Sequence, residues 1–154
     1  MKFKYLSLIT LFGILIVACE KENSLKEYMT ASWQTTYLKI EMPTYEKSDS
    51  LEVYEDKFDN NPELVAQSKY NVDGTFNAWF INSKGEKVSE SDGKWNVEND
   101  SLFLEFFYNN RDMKVSYHIT KTEDGFIGKS TFDWDNDGAF DDFLTMKTKR
   151  IKTD

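Results

Sequence analysis

Cysteine and histidine, from which many small catalytic and metal sites are built, are almost missing from this chain. Its 154 residues contain one of each, Cys19 and His118. The folded part therefore cannot form a disulfide, a Cys/His zinc site or a cysteine–histidine catalytic pair. The sequence also lacks a Gly-x-Ser-x-Gly elbow, a Gly-rich phosphate loop and a His-Glu-x-x-His motif. We expect His118 on the polar face of a strand without a catalytic partner, and so a protein that is not an enzyme.

Positive charge and long apolar runs are also scarce. Lys and Arg total 19 against 27 Asp and Glu, which gives a net charge of −8 at pH 7. Such a surface repels phosphate backbones, so we expect no nucleic-acid partner. The longest apolar run, residues 5–17, is shorter than the roughly 20 residues that a membrane span needs. A mean hydropathy of −0.61 with 40% hydrophobic residues is typical of one globular domain.

The first nineteen residues have the form of an export leader. Lys2 and Lys4 precede the apolar run, and small residues precede Cys19. The segment Leu-Ile-Val-Ala-Cys at residues 15–19 resembles the lipobox of bacterial lipoproteins, which implies a signal peptide over 1–18 and a lipid on Cys19 in a tether over 19–23. An ordinary secreted protein is the alternative. Residues 20–23 resemble a surface-export signal of some Gram-negative lipoproteins, which implies an outer-membrane lipoprotein of the cell envelope, on either face.

The remaining residues, 24–154, predict one β domain. Ser24 and Glu27 form a capping box, which predicts a short helix over 24–31. From residue 32 apolar residues alternate, and turn signals recur every 8 to 12 residues. The predicted strands are 33–41, 64–72, 75–82, 86–97 with a kink at Gly93, 101–108, 113–120, 126–133 and 140–152. We therefore expect an all-β fold, an eight-stranded antiparallel up-and-down barrel or strongly curved sheet with a short N-terminal helix.

Two stretches depart from simple alternation. Phe103 and Phe107 make the strand 101–108 apolar on both faces, so we expect it to be central or to be covered outside by the helix. The one long connection, residues 43–62, is rich in polar residues and could hold a short strand or a lid.

The helix and strand order resembles lipocalin-like lipoproteins of Gram-negative bacteria. In lipocalins Gly-x-Trp opens the first strand, and here Ala31, Ser32 and Trp33 stand at those positions. The basic residue that stacks on the Trp would be Arg150 or Lys149. The resemblance implies a monomeric barrel that holds a small apolar ligand.

The strand pattern gives candidate interior positions for such a ligand. They are Trp79, Leu104, Phe106, Val115, Tyr117 and Ile119. The alternative is a barrel filled by its own side chains, a structural or interaction lipoprotein that binds a protein or glycan on its surface.

One acidic motif predicts a metal site. Residues 133–141 follow the pattern D-x-D-x-D-G-x-x-D, in which the carboxylates converge on a hard cation such as Ca²⁺. The predicted ligands are Asp133, Asp135, Asp137 and Asp141, with the backbone carbonyl of Ala139. The loop resembles EF-hands for six residues, but Leu144 stands where an EF-hand has Glu. It is more similar to the hairpin calcium loops of integrin-type propellers. The alternative is an acidic, solvated turn without metal.

Replacing Cys19 by Ser tests the lipid anchor. Two or more acyl chains hold a protein on a membrane stably, so wild type should sediment with membranes and Cys19→Ser should be soluble or keep its leader. The control Asn23→Ser leaves the lipobox intact and should sediment as wild type does. Membrane fractionation with intact mass measurement decides. A processed Cys19→Ser chain that still sediments would contradict the assignment.

Overall fold

The structure is a computed structural model that describes residues 25–58, 63–108 and 110–152, apart from the side chain of Glu46. The leader, Cys19 and the capping residue Ser24 lie outside these described residues. No helix within them is both long enough and apolar enough to cross a membrane.

The described residues form one short α-helix, one 3₁₀ helix at Tyr45–Lys47 and nine antiparallel strands. Helix α1 covers residues 25–29. The strands are β1 Ser32–Met42, β2 Glu52–Asp56, β3 Leu64–Tyr70, β4 Thr75–Asn82, β5 Lys87–Glu98, β6 Ser101–Tyr108, β7 Arg111–Lys121, β8 Gly125–Phe132 and β9 Asp142–Arg150. Each strand from β3 to β8 pairs with the strand that follows it in the chain, and β1 pairs with both β3 and β9. Eight strands, β1 and β3 to β9, therefore close into the predicted all-β barrel. Strand β2 is an additional strand that pairs with β1.

Strand β1 has two partners along the edge opposite β9. Its first three residues, 32–34, pair with β3, whereas residues 38–42 pair with β2. Strand β2 lies within the long connection 43–62, where the sequence allowed a short strand. The seam between β1 and β3 is consequently only three residue pairs long.

Alternation decides which side chains enter the barrel. On β7 the residues Met113, Val115, Tyr117 and Ile119 are buried, while Lys114 and the other residues between them are exposed. This confirms the predicted alternation of apolar residues on this strand, because successive strand side chains point to opposite faces. At Gly93 strands β5 and β6 lie too close together for a side chain. A Cβ there would lie 2.2 Å from the carbonyl oxygen of Glu105 on β6.

Helix α1 closes one end of the barrel over Trp33. The Trp33 side chain is 0% exposed, and its Nε1 donates to the Met29 carbonyl at 3.0 Å. Phe126 meets its ring edge-on at a centroid distance of 5.0 Å. The guanidinium of Arg150 lies 4.5 Å from the Trp33 ring and donates to the Tyr28 carbonyl. The predicted stacking of a basic residue on Trp33 is therefore present, with Arg150 as that residue.

Strand β6 is central, which is one of the two predicted alternatives, but its outer face is not covered. Strand β6 pairs on both sides, with β5 and β7, but α1 does not cover it. Phe103 is 38% exposed and Phe107 is 58% exposed. The helix is engaged at the barrel end by Trp33, so it cannot also lie along the side of the barrel.

Removing the indole at the closed end should destabilise the protein strongly. Trp33→Ala deletes a fully buried aromatic and leaves a cavity, which costs about 3–5 kcal/mol of unfolding free energy. The matched variant Phe107→Ala removes an exposed aromatic and should cost less than about 1 kcal/mol. Denaturant melts followed by circular dichroism measure both. A similar loss of unfolding free energy in the two variants would show that burial of Trp33 does not stabilise the core.

Candidate functional site

A cavity of about 210 Å³ lies inside the barrel. We call it the barrel cavity; neither α1 nor Trp33 is among its described lining residues. Its lining comprises Thr35, Ala66, Gln67, Ser68, Tyr70, Phe76, Ala78, Trp79, Phe80, Ser89, Ser91, Leu104, Phe106, Tyr108, Tyr117, Phe126, Trp134, Met146 and Thr148. Aromatic and aliphatic side chains dominate this set, as is typical of sites for small apolar molecules.

The predicted interior residues divide into two groups. Four of them line the barrel cavity, namely Trp79, Leu104, Phe106 and Tyr117. Val115 and Ile119 are buried in the hydrophobic core but are not among the lining residues. Alternation indicates that a side chain points inward, but it does not show whether neighbouring side chains fill the space in front of it. Trp134, which the motif placed in a loop, also lines the cavity.

Several polar groups beside the cavity have protein partners. Trp79 Nε1 donates to Gln67 Oε1 at 3.0 Å, and Lys87 Nζ lies 4.3 Å from the Trp79 ring. Ser91 Oγ donates to the Phe107 carbonyl at 2.7 Å. Thr148 Oγ1 accepts from the backbone N–H of Phe126 at 3.2 Å and donates to the Phe126 carbonyl at 3.3 Å. These contacts connect neighbouring strands of the cavity wall.

The two buried tyrosines of the wall are held neutral. Burial raises the pKa of Tyr70 and of Tyr117 far above the ordinary value, because the phenolate would lose its hydration. For Tyr70 a hydrogen bond with Ser68 acts weakly in the opposite direction. Both hydroxyls therefore stay protonated at physiological pH.

Trp134 carries an unpaired buried donor. Among the described residues, two buried side-chain atoms have no hydrogen-bond partner, Trp134 Nε1 and Ser130 Oγ. Only Trp134 belongs to the lining of the barrel cavity. Its ring lies 6.4 Å from that of Tyr117 and 5.2 Å from that of Phe132. An indole N–H can donate but cannot accept, so it needs an acceptor.

The acidic loop, residues 133–142, brings three carboxylates together. Asp133, Asp135 and Asp142 each place one oxygen within 4.8 Å of the others. Asp142 Oδ2 accepts the backbone N–H of Trp134 at 2.6 Å and that of Asp135 at 3.2 Å. Burial raises the pKa of the Asp142 carboxyl despite these bonds, and the neighbouring carboxylates add to the rise. Three Asp side chains could thus form a metal site.

The group differs from the predicted ligand set. Asp142 was not predicted as a ligand, whereas Asp137 and Asp141 lie outside the group and both accept from Thr44 Oγ1, at 3.3 Å and 3.3–3.4 Å. The backbone N–H of Ala139, whose carbonyl was the predicted ligand, donates to Asp137 Oδ1. The motif counts positions along the chain, but β9 begins at Asp142 and directs this side chain into the loop instead of Asp141.

Arg111 ties the acidic loop to β7. Its guanidinium donates to the Asp133 carbonyl at 2.6 Å and to Asn136 Oδ1 at 2.7 Å. It also lies 3.6 Å from the Asp133 carboxylate, which is almost fully buried. One positive charge therefore offsets part of the negative charge of the loop without a metal ion.

The chain matches no protein-family model and no curated protein sequence. The candidate site therefore rests on its own geometry.

Proposed function

We propose that this protein is a lipid-anchored, lipocalin-like lipoprotein of the bacterial outer membrane that binds a small apolar ligand in its barrel and is not an enzyme. The observation that carries the proposal is the apolar barrel cavity, because a barrel filled by its own side chains would leave no such space. The lipobox-like leader supports the location, and the stacked pair of Trp33 and Arg150 supports the likeness to lipocalins.

The volume of the cavity limits the size of the ligand. A dry cavity of about 150 Å³ binds benzene, whereas sites for drug-sized ligands are about 300–1,000 Å³. At about 210 Å³ the barrel cavity lies between these values. A ligand with one ring, or a short acyl chain of similar size, fits this volume.

The short seam between β1 and β3 supplies a route for entry. Residues 38–42 of β1 pair with β2 instead of β3. Residues 64–66, at the start of β3, are not paired with β1. Thr35 on β1 and Ala66 on β3 flank this break, and both line the barrel cavity. We infer that a ligand enters here, where few hydrogen bonds need to open.

Filling the cavity should abolish binding. Ala78 lines it, so Ala78→Leu should occupy the space of the ligand. Benzene in excess should raise the melting temperature of wild type by mass action, and Ala78→Leu should lose this shift. The control Ser116→Leu adds the same apolar group on the exposed face of β7 and should keep the shift. Thermal melts with and without benzene measure the effect, and no shift in wild type would contradict a cavity open to ligands.

We propose a second role for the acidic loop, the binding of Ca²⁺. The supporting observation is the convergence of Asp133, Asp135 and Asp142, since carboxylate oxygens are the ligands that Ca²⁺ prefers. A cation would relieve the mutual repulsion of these groups and the desolvation of Asp142. The affinity expected for an extracellular site is modest, about 10⁻⁴–10⁻³ M.

Calorimetric titration with Ca²⁺ tests this role. Asp135→Ala and Asp142→Asn should each abolish the binding heat, because each removes an oxygen of the convergent group. Asp141→Asn should weaken binding less, since its carboxylate accepts from Thr44. The exposed Asp112 on β7 gives the control Asp112→Asn, which should bind as wild type does. Heat that survives Asp135→Ala, or no heat in wild type, would show that the loop is only a turn.

A further inference from the structure

We propose that the end of the barrel closed by α1 rests on the membrane surface, where a groove lined by Lys69, Arg150 and Lys152 receives the anionic headgroup of a lipid. We call this site the basic groove. The inference rests on the lipid anchor of the proposed function and adds a second membrane contact, which sets the orientation of the barrel.

The basic groove forms where the start of β1 lies between the ends of β3 and β9. The Ala31 carbonyl accepts the backbone N–H of Tyr70 at 3.0 Å, and the Ser32 carbonyl accepts that of Ile151 at 2.9 Å. All four residues line the groove. Because backbone hydrogen bonds of the barrel hold its walls, the site does not need a bound lipid in order to form.

The groove is positive although the chain as a whole is negative. Its described lining residues include Lys69, Arg150 and Lys152 but no Asp or Glu, whereas the net charge of the chain is −8. By contrast, the neighbouring groove across Arg150 contains Glu123 and Asp124. The three cationic side chains are exposed, and Lys69 and Lys152 form no ion pair with a described residue. They can therefore face an external anion.

Apolar side chains beside the cations favour a lipid surface over a free anion. Val72 is 78% exposed, more than any other large hydrophobic side chain among the described residues. It lines the basic groove together with Ile151. At a membrane interface apolar side chains enter the boundary of the acyl region while cations attract anionic lipids. A free anion would gain nothing from the exposed Val72.

The proposed anchor brings this end of the barrel to the membrane. Leu25, the first residue of α1, follows Cys19 by six residues. A fully extended segment of that length spans at most about 20 Å. Helix α1 lies over Trp33, whose indole donates to Met29. The end closed by α1 is therefore the part of the barrel nearest to the anchor.

The acidic loop lies at the opposite end of the barrel, as does Glu52 of β2, which pairs with the last residue of β1. Strand β1 has eleven residues. A strand of that length spans about 35 Å, or about 27 Å along a barrel with the usual strand tilt. This is several times the Debye length of about 8 Å at physiological ionic strength. A barrel turned the other way would bring the acidic loop against the anionic surface, so repulsion favours the same orientation.

Methyl NMR of the anchored protein in lipid nanodiscs tests this orientation. Wild type with ¹³C-labelled Leu and Val methyls is purified from membranes and placed in phosphatidylcholine discs, with or without about one third phosphatidylglycerol. A trace lipid carries a nitroxide on its headgroup. In the anionic discs it should relax the Val72 methyls about tenfold more than those of Leu51, which is 63% exposed beside β2 at the opposite end. Without phosphatidylglycerol, or in about 1 M NaCl, this ratio should fall about threefold or more.

Charge reversal of the two exposed lysines, Lys69→Glu with Lys152→Glu, should lower the ratio at least as much. Each cation near an anionic surface contributes about fivefold to the attraction. The control Lys84→Glu with Lys129→Glu makes the same change in net charge at exposed positions outside the groove, and it should keep the wild-type ratio. Arg150 is left in place because it stacks on Trp33.

The outcomes separate this inference from the anchor on which it rests. If wild type leaves the discs during gel filtration, the lipid anchor fails and the orientation falls with it. If wild type stays on the discs but Val72 and Leu51 relax equally, the anchor stands and this inference fails. A wild-type ratio in the Lys69→Glu, Lys152→Glu variant also overturns it. Should that variant not fold, the effects of NaCl and phosphatidylglycerol on wild type decide alone.

Discussion

The pairing of the first barrel strand with the last is the constraint on which the rest of the molecule depends. Eight residue pairs join β1 to β9, from Trp33 opposite Arg150 to Glu41 opposite Phe143. This register closes the sheet, so the edges that an open sheet would expose are paired. It also sets both ends of the barrel. Arg150 comes to lie over Trp33 at one end, and at the other the start of β9 brings the acidic loop to Thr44, just beyond β1.

The two ends of the barrel differ in the size of the side chains that point into them. At the end closed by α1, large side chains such as Trp33 and Phe126 fill the interior, and Met29 satisfies the indole N–H. Towards the other end β1 leaves β3 for β2, and the wall carries small residues, including Ala66 and Ala78. An eight-stranded barrel has an interior just wide enough for side chains to fill it. Small residues on two adjacent strands are therefore enough to leave a cavity.

Features that depend on local pattern could be predicted from the sequence. The alternation of β7, the hairpin between the strands predicted over 64–72 and 75–82, and the stack of Arg150 on Trp33 follow from period, turn signals and strand order. The exposure of Phe103 could not, because it depends on where α1 docks. The cavity could not either, since Val115 and Leu104 have the same pattern and only Leu104 borders the empty space.

In the acidic loop, too, the sequence pattern does not show which side chains come together. The linear motif selects Asp141 and leaves out Asp142, yet Asp142, the first residue of β9, is the one that joins Asp133 and Asp135. Once folded, Asp142 holds the Trp134 backbone, and the Trp134 ring lines the cavity. The charge state of the loop and the position of the Trp134 ring in the cavity wall are thus joined by one hydrogen bond. If an ion on the loop changes the affinity of the cavity for its ligand, the ligand must change the affinity for the ion by the same factor.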